Sequence, residues 1–107
     1  MINIDVNLTK GKVKIDGHAD FDEEGKDIVC SAISVLFFSM CQTFDSMKKK
    51  GCLKVCKINW DKGNGLIKVT PKPEFKQHIA IIFMTICNGF NIVASEYPDY
   101  VTLDLKE

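Results

Sequence analysis

Apolar and polar residues alternate along the start of the chain, and the alternation is interrupted once, at Lys10 and Gly11. A period of two is typical of a strand with one buried face, and glycine favours a turn. The sequence therefore predicts that the chain opens with a β-hairpin. Its inward positions are Ile2, Ile4, Val6 and Leu8 in the first strand, and Val13 and Ile15 in the second.

Two longer stretches have apolar residues every three or four positions, which is the period of an amphipathic helix. They predict helices over about 27–50 and 74–96. Alternation over 53–60 and 66–70 predicts a second hairpin between the helices, and 101–105 a final strand.

The predicted order is β-β-α-β-β-α-β, which indicates the α+β class. The simplest packing is an antiparallel sheet of four or five strands with two long helices on its one apolar face. The 107 residues fit a single domain over 1–107. A domain of this size can bury enough surface to fold without disulfides or a structural metal.

Charge, apolar run length and cysteine usage limit the partners and the cellular compartment that we expect for this chain. Fourteen acidic side chains balance fourteen basic ones, all of them lysine, and no basic stripe interleaved with aromatics occurs. We therefore expect no direct contact with nucleic acid. The apolar runs 28–44 and 79–94 are shorter than the ~20 residues of a membrane span, so no membrane segment is expected. Five cysteines, an odd number without a leader segment, predict reduced thiols and a cytoplasmic protein.

The candidate chemistry lies between the second strand and the first helix. Asp27 is placed to cap that helix by accepting the N–H groups of Val29 or Cys30, which puts Cys30 in the first turn. The positive end of the helix dipole favours a thiolate there. His18, at the end of the second strand, is close enough along the chain to act on Cys30 as base and then as acid.

Other residues in the same segment have supporting roles in this hypothesis. Ser34 shares a helical face with Cys30 and can hydrogen-bond the sulfur or the imidazole. The backbone N–H groups of Cys30 and Ser31, or those of the loop before the helix, are candidate donors to an oxyanion. Gly17 and Gly25 bracket an acidic loop and serve as its hinges.

The segment resembles the signature of the ribosomal-processing cysteine protease family (Prp). The resemblance rests on Gly17-His18-Ala19, Gly25, Asp27-Ile28-Val29-Cys30-Ser31-Ala32 and Ser34. It implies a cofactor-free thiol endopeptidase with His18 and Cys30 as the catalytic pair, Asp27 and Ser34 as supporting residues, and Gly17, Ala19 and Gly25 in the substrate loop. It also implies a homodimer that removes a short N-terminal extension from the precursor of large-subunit ribosomal protein twenty-seven.

The resemblance implies cleavage after aromatic residues, which requires an apolar slot near Cys30. Phe21, Phe37 and Phe38 are the candidates for its lining, although each is also suited to a core or a dimer surface.

Two other functions fit the same residues. One is a ribosome-associated module that binds a peptide without cleaving it. The other is a redox sensor that oxidises Cys30, which requires a second thiol nearby. A zinc site built on Cys52 and Cys56 with Cys41 or Cys87 has unsuitable spacing, and His78 lacks a partner. Trp60 and Tyr100 fit structural roles better than stacking on RNA.

Overall fold

The computed structural model describes residues 1–17 and 27–107, and the elements follow the predicted order. The strands are β1 (Ile2–Asn7), β2 (Lys12–Gly17), β3 (Leu53–Asp61), β4 (Asn64–Pro71) and β5 (Val101–Lys106). The helices are α1 (Ile28–Lys49) and α2 (Lys76–Glu96), with a single 3₁₀ turn over Pro73–Phe75 before α2. The α+β class and the element order are confirmed.

The five strands form one sheet in the order β3-β4-β2-β1-β5. Three of the four pairings are antiparallel, as predicted, but β1 and β5 pair in parallel. The reason is that α2 is a crossover: it returns the chain to the end of the sheet where β4 began, so β5 runs in the same direction as β4 and β1. The sheet is therefore mixed.

Both helices pack on one face of the sheet, where the inward residues of the strands are buried. Helix α1 contributes a buried stripe at steps of three and four residues, and α2 runs antiparallel to it. This direction follows from two contacts: Phe44 stacks near Phe83 with ring centroids 5.5 Å apart, and Leu36 packs over Gly89. The buried stripe of α1 consists of Val29, Ile33, Phe37, Met40 and Phe44.

Helix α1 and the helical stretch Pro73–Glu96 are both long and apolar enough to cross a membrane by length and composition alone. They extend past the shorter apolar runs from which we expected no membrane span. Each buries its inward stripe against the sheet, but several large apolar side chains point away from it. Val35, Ile81, Met84 and Ile92 are each more than half exposed.

Candidate active site

Asp27 is the N-cap of α1, as predicted. Its backbone is extended, and its Oδ1 accepts hydrogen bonds from the backbone N–H groups of Val29 and Cys30, both at 2.9 Å. The carboxylate is 7% exposed. Two of the N–H groups that have no partner inside the helix are thereby satisfied by one buried oxygen. This fixes the first turn of the helix and the position of Cys30 within it.

Cys30 is half-buried and lines a small pocket of about 190 Å³ where β1, β2, α1 and the β3–β4 turn meet. The pocket brings together Cys30 and Ser34 from successive turns of α1, Gly17 from the end of β2, and Trp60 from β3. The full lining is Ile2, Ile15, Gly17, Cys30, Ile33, Ser34, Trp60 and Gly63. The thiol therefore faces a cleft with apolar walls and is not sealed in the core.

Gly17 closes the strand side of the pocket with a backbone φ of +97°, a conformation that disfavours residues with a Cβ. A Cβ at this position would also overlap the backbone oxygen of Met1. Glycine is therefore required here on two counts. The residue for which a hinge role was predicted therefore has a backbone conformation that only glycine adopts easily.

Ser34 is half-buried, and its hydroxyl makes no hydrogen bond within the described ranges 1–17 and 27–107. Ser39, by contrast, one turn further along α1, donates to the backbone oxygen of Val35 at 2.7 Å. The Ser34 hydroxyl is thus available to the pocket that it lines with Cys30. This is the position that the sequence hypothesis required.

The backbone N–H of Ser31 is less suited to the role suggested for it. It donates to the backbone oxygen of Asp27 at 3.0 Å as the first bond of the helix, and the N–H of Cys30 donates to the Asp27 side chain. Either amide would have to break a hydrogen bond before it could donate to an oxyanion. The observed first turn therefore offers neither of these protons to a substrate.

Trp60, for which the sequence interpretation favoured a structural role, also lines the Cys30 pocket. Its ring packs against Phe38 with centroids 4.8 Å apart and against Phe37 at 5.2 Å. The ring lies over Gly65, its cross-strand partner, where a Cβ would come within 2.8 Å of the indole. Phe37 is fully buried and belongs to the core, whereas Phe38 is 40% exposed. No local pattern in the sequence marks Trp60 for this pocket, because its position follows from the cross-strand pairing with Gly65.

None of the other four cysteines lies near Cys30. Cys41 is eleven residues further along α1, or about 16 Å at 1.5 Å per residue. Cys52 and Cys56 contact the backbone of Met47 and Phe44, further still along the helix. Cys87 lies on α2 beyond Gly89, which packs on Leu36. A disulfide needs Cα atoms within about 7 Å, so the redox-sensor hypothesis lacks its second thiol.

The environment of Cys41, Cys56 and Cys87 favours the protonated thiol. Burial raises the pKa of Cys41 to about 11, with nearby Cys56 adding to the effect. Burial also raises the pKa of Cys56 and of Cys87 above the ordinary value. All three are therefore poor nucleophiles near neutral pH.

His18, Ala19, Gly25 and Phe21 lie outside the described residues, so their predicted roles stay predictions. Within the described ranges, no three His, Cys, Asp or Glu side chains are grouped as a metal site would require. The zinc hypothesis on Cys52 and Cys56 therefore gains no support.

The capped start of α1 presents a cysteine and a serine to an apolar cleft. On an α+β scaffold, this arrangement indicates an enzyme that uses a thiol as its nucleophile. Comparison with known families is specific: the model of the family described as Cysteine protease Prp matches residues 1–102. The chain belongs to this family, and it is a cysteine protease. The resemblance identified from the motif is confirmed, and the non-catalytic binding module is set aside.

Relatives of similar length support the assignment. The ribosomal processing cysteine protease Prp of Mycoplasma genitalium is 28% identical over 101 residues, which cover 94% of each chain. The Staphylococcus aureus protein of the same name is 26% identical over 110 residues, covering 99% of this chain and all of that one.

A solved structure shows the same fold. The crystal structure of the essential ribosomal processing protease Prp from Staphylococcus aureus, in complex with a covalently linked product peptide, superposes with a TM-score of 0.82 at 25% identity. The alignment covers 99% of this chain and 100% of that chain.

Proposed function

We propose that this chain is an endopeptidase that removes a short N-terminal extension from the precursor of a large-subunit ribosomal protein, with Cys30 as nucleophile and His18 as base. The observation that carries the proposal is the position of Cys30, in the first turn of a capped helix and on the wall of an apolar cleft. Support for the substrate comes from the relatives named as ribosomal processing proteases. The resemblance of the motif points to ribosomal protein twenty-seven.

The reaction begins with transfer of the Cys30 thiol proton to the His18 imidazole, and the thiolate then attacks the scissile carbonyl carbon. A carbon–sulfur bond forms, and the carbon–nitrogen bond breaks as the leaving amine takes a proton from the His18 imidazolium. Water then attacks the thioester while His18 accepts its proton, and the thiolate is released with a new carboxylate on the peptide. No cofactor takes part in either half of this reaction.

Supporting roles follow from the described contacts. Asp27 holds the first turn through its two hydrogen bonds, and Ser34 offers its hydroxyl to the sulfur or to the imidazole. The amides of Cys30 and Ser31 are already engaged in hydrogen bonds. We therefore assign oxyanion stabilisation to the loop that contains Ala19 and is bracketed by the hinges Gly17 and Gly25, which would close over a bound substrate.

The decisive experiment uses a synthetic peptide that spans the N-terminal extension of the ribosomal precursor, with products identified by mass spectrometry. The wild-type chain should cut the peptide once, and Cys30→Ala should bind it without cutting. Cys41→Ala is the matched control on the same helix and should retain full activity. An intact peptide with wild-type protein, or cleavage by Cys30→Ala, would contradict the proposal.

His18 is tested separately because it lies outside the described residues. His18→Gln should lower kcat by a factor of about 10²–10⁴, the usual contribution of a general base. The acidic limb of the pH–rate profile should disappear in the same variant. An unchanged profile would assign the base to another residue.

We further propose that Trp60 and Phe38 form the apolar slot for an aromatic side chain of the substrate. Trp60 lines the Cys30 pocket and Phe38 packs edge-on against it. Trp60→Ala should raise KM for an aromatic peptide by about tenfold, because the loss of one apolar contact surface weakens substrate binding by about this factor. Trp60→Phe, which keeps a ring in place, should stay within about threefold, and equal losses in both variants would count against a slot.

We also propose a cytoplasmic homodimer whose interface covers the outward faces of α1 and α2. The support is their exposed apolar side chains, among them Val35, Ile81 and Met84, since patches of this kind mark contact surfaces. Light scattering should give twice the chain mass, and Ile81→Lys with Met84→Lys should give the monomer. The control Ile58→Lys, on edge strand β3, should remain dimeric. Partition of the wild type into lipid vesicles would favour a membrane contact instead.

A further inference from the structure

The outward face of the sheet carries a row of lysines that no stretch of the sequence reveals. The strand register pairs Lys57 with Lys68, Lys68 with Lys12, Lys12 with Asn7, and Asn7 with Lys106. All four lysines are exposed. We call Lys12, Lys57, Lys68 and Lys106 the lysine row. It lies on the face opposite the helices, because the chain neighbours of Lys12 and Lys68 point into the core: Val13, Ile67 and Val69 are fully buried.

The row concentrates positive charge on a neutral protein. Neighbouring strands are about 4.8 Å apart, so three lysines on adjacent strands fall within about 10 Å, and Lys106 lies about 10 Å further on. These distances are close to the Debye length of about 8 Å at physiological salt, so the charges repel one another. Like charges directly opposite on a sheet are destabilising. The row therefore costs stability unless an anion covers it.

Carboxylates neutralise only one end of this row. Asp104 lies 3.7 Å from Lys106, and Asp5 and Asp104 occupy the adjacent cross-strand row. Within 1–17 and 27–107, no ion pair involves Lys12, Lys57 or Lys68. A groove of about 300 Å³ runs beside this end of the row, and its charged lining consists of Lys10, Lys12, Lys14 and Lys106 with Asp5 and Asp104. Three adjacent ammonium groups and a groove thus face solvent together.

We propose that the lysine row is a binding surface for the phosphate backbone of RNA. The chemistry favours a polyanion with regularly spaced charges over an acidic protein, because protein interfaces are depleted in lysine and enriched in aromatic residues and arginine. The row contains no aromatic, arginine or large apolar side chain. A surface of lysines alone binds backbone phosphates without reading bases.

This surface differs from our expectation of no nucleic-acid contact, which rested on the absence of a basic stripe along the chain. The four lysines lie on four different strands, and only the pairing of all five strands aligns them. The row is also separate from the cleft: Lys12 is about 16 Å along β2 from Gly17, on the opposite face from Cys30. RNA on the row would leave the cleft open to a peptide.

The test measures anisotropy of a fluorescein-labelled, unstructured 20-nucleotide oligouridine against the full chain. We expect salt-dependent binding with a log–log slope of about −3, since each phosphate contact on a single strand contributes about −0.7. Combined substitution of Lys12, Lys57 and Lys68 by Gln should weaken binding at least fivefold and flatten the slope. Combined Asp5→Asn and Asp104→Asn should strengthen binding about twofold or more.

Matched controls separate the row from net charge and from folding. Combined substitution of Lys49, Lys72 and Lys76 by Gln removes the same charge on the helix side and should leave RNA affinity within twofold. Cleavage of a short peptide should be unchanged in the row variant, so failure of this proposal and failure of the protease proposal are distinguishable. The absence of RNA binding, equal losses in both triple variants, or tighter binding of a polyglutamate peptide or of anionic vesicles than of RNA would overturn the proposal.

Discussion

Cys30 and Cys41 lie on the same helix and are both half-buried against the core, but they differ in their position along the helix. Cys30 belongs to the first turn, where a buried carboxylate caps the backbone and a cleft reaches the sulfur. Cys41 lies eleven residues further along the helix, and burial raises its pKa to about 11. The comparison teaches that the position on the helix, and not the residue type, decides which thiol can do chemistry. The glycine and serine tests pair a residue near the helix start with a matched residue further along, and the cap is tested by two substitutions at Asp27.

The largest expected effect comes from the two glycines on either side of α1. Gly17→Ala should cost about 3 kcal/mol of unfolding free energy, because a positive φ is combined with overlap on the Met1 backbone. Gly51→Ala has a similar φ, +79°, but only the flexible Lys72 amine nearby, and should cost about 1 kcal/mol. Urea denaturation measures both. Equal costs would show that the backbone at Gly17 can relax.

The next effect concerns the cap. Asp27→Ala should lose about 1–2 kcal/mol, the typical contribution of an N-cap, and should reduce cleavage because the first turn carries Cys30. Asp27→Asn should keep the cap and lose the charge, since the amide oxygen can accept the N–H bonds of Val29 and Cys30 that now end on Oδ1. Thermal unfolding and peptide cleavage are measured together. If Asp27→Asn keeps both the stability and the thiol reactivity, Asp27 serves architecture alone.

The smallest expected effect comes from substitution of Ser34, with Ser39 as its matched control. Ser34→Ala should lower kcat about tenfold, or about 1.4 kcal/mol of transition-state stabilisation, with little change in melting temperature because its hydroxyl has no partner in the described fold. Ser39→Ala loses only an exposed bond to the Val35 carbonyl and should leave kcat unchanged. A loss of stability in Ser34→Ala without a loss of rate would make Ser34 structural.

The helices and strands could be predicted well from the sequence because the apolar residues of each recur with a clear period. Alternation marked Ile2 to Val6, and the steps of three and four marked the stripe from Val29 to Phe44. The capping role of Asp27 was also accessible, since it depends on backbone geometry within four residues. What local patterns cannot predict is strand direction and neighbourhood: the parallel β1–β5 pair depends on how α2 crosses the sheet.

The dependence on strand pairing also explains why the positions of Trp60 and of the lysine row were not predicted from the sequence. Trp60 is thirty positions from Cys30 in sequence, and only its pairing opposite Gly65 brings the indole to the cleft. The lysine row depends on the register of five strands. Conversely, Ser31 looked available as an oxyanion donor because it follows Cys30, yet regular helix bonding already uses its N–H.

The central claim is tested most directly by alkylation of each thiol against pH, with labelled peptides counted by mass spectrometry. At pH 7 we expect iodoacetamide to modify Cys30 at least 100-fold faster than Cys41, whose pKa of about 11 leaves little thiolate. The rate at Cys30 should be nearly level between pH 7 and 8, while that at Cys41 rises about tenfold per pH unit. Alkylation of Cys30 at the rate of Cys41, or rising as steeply with pH, would contradict the account.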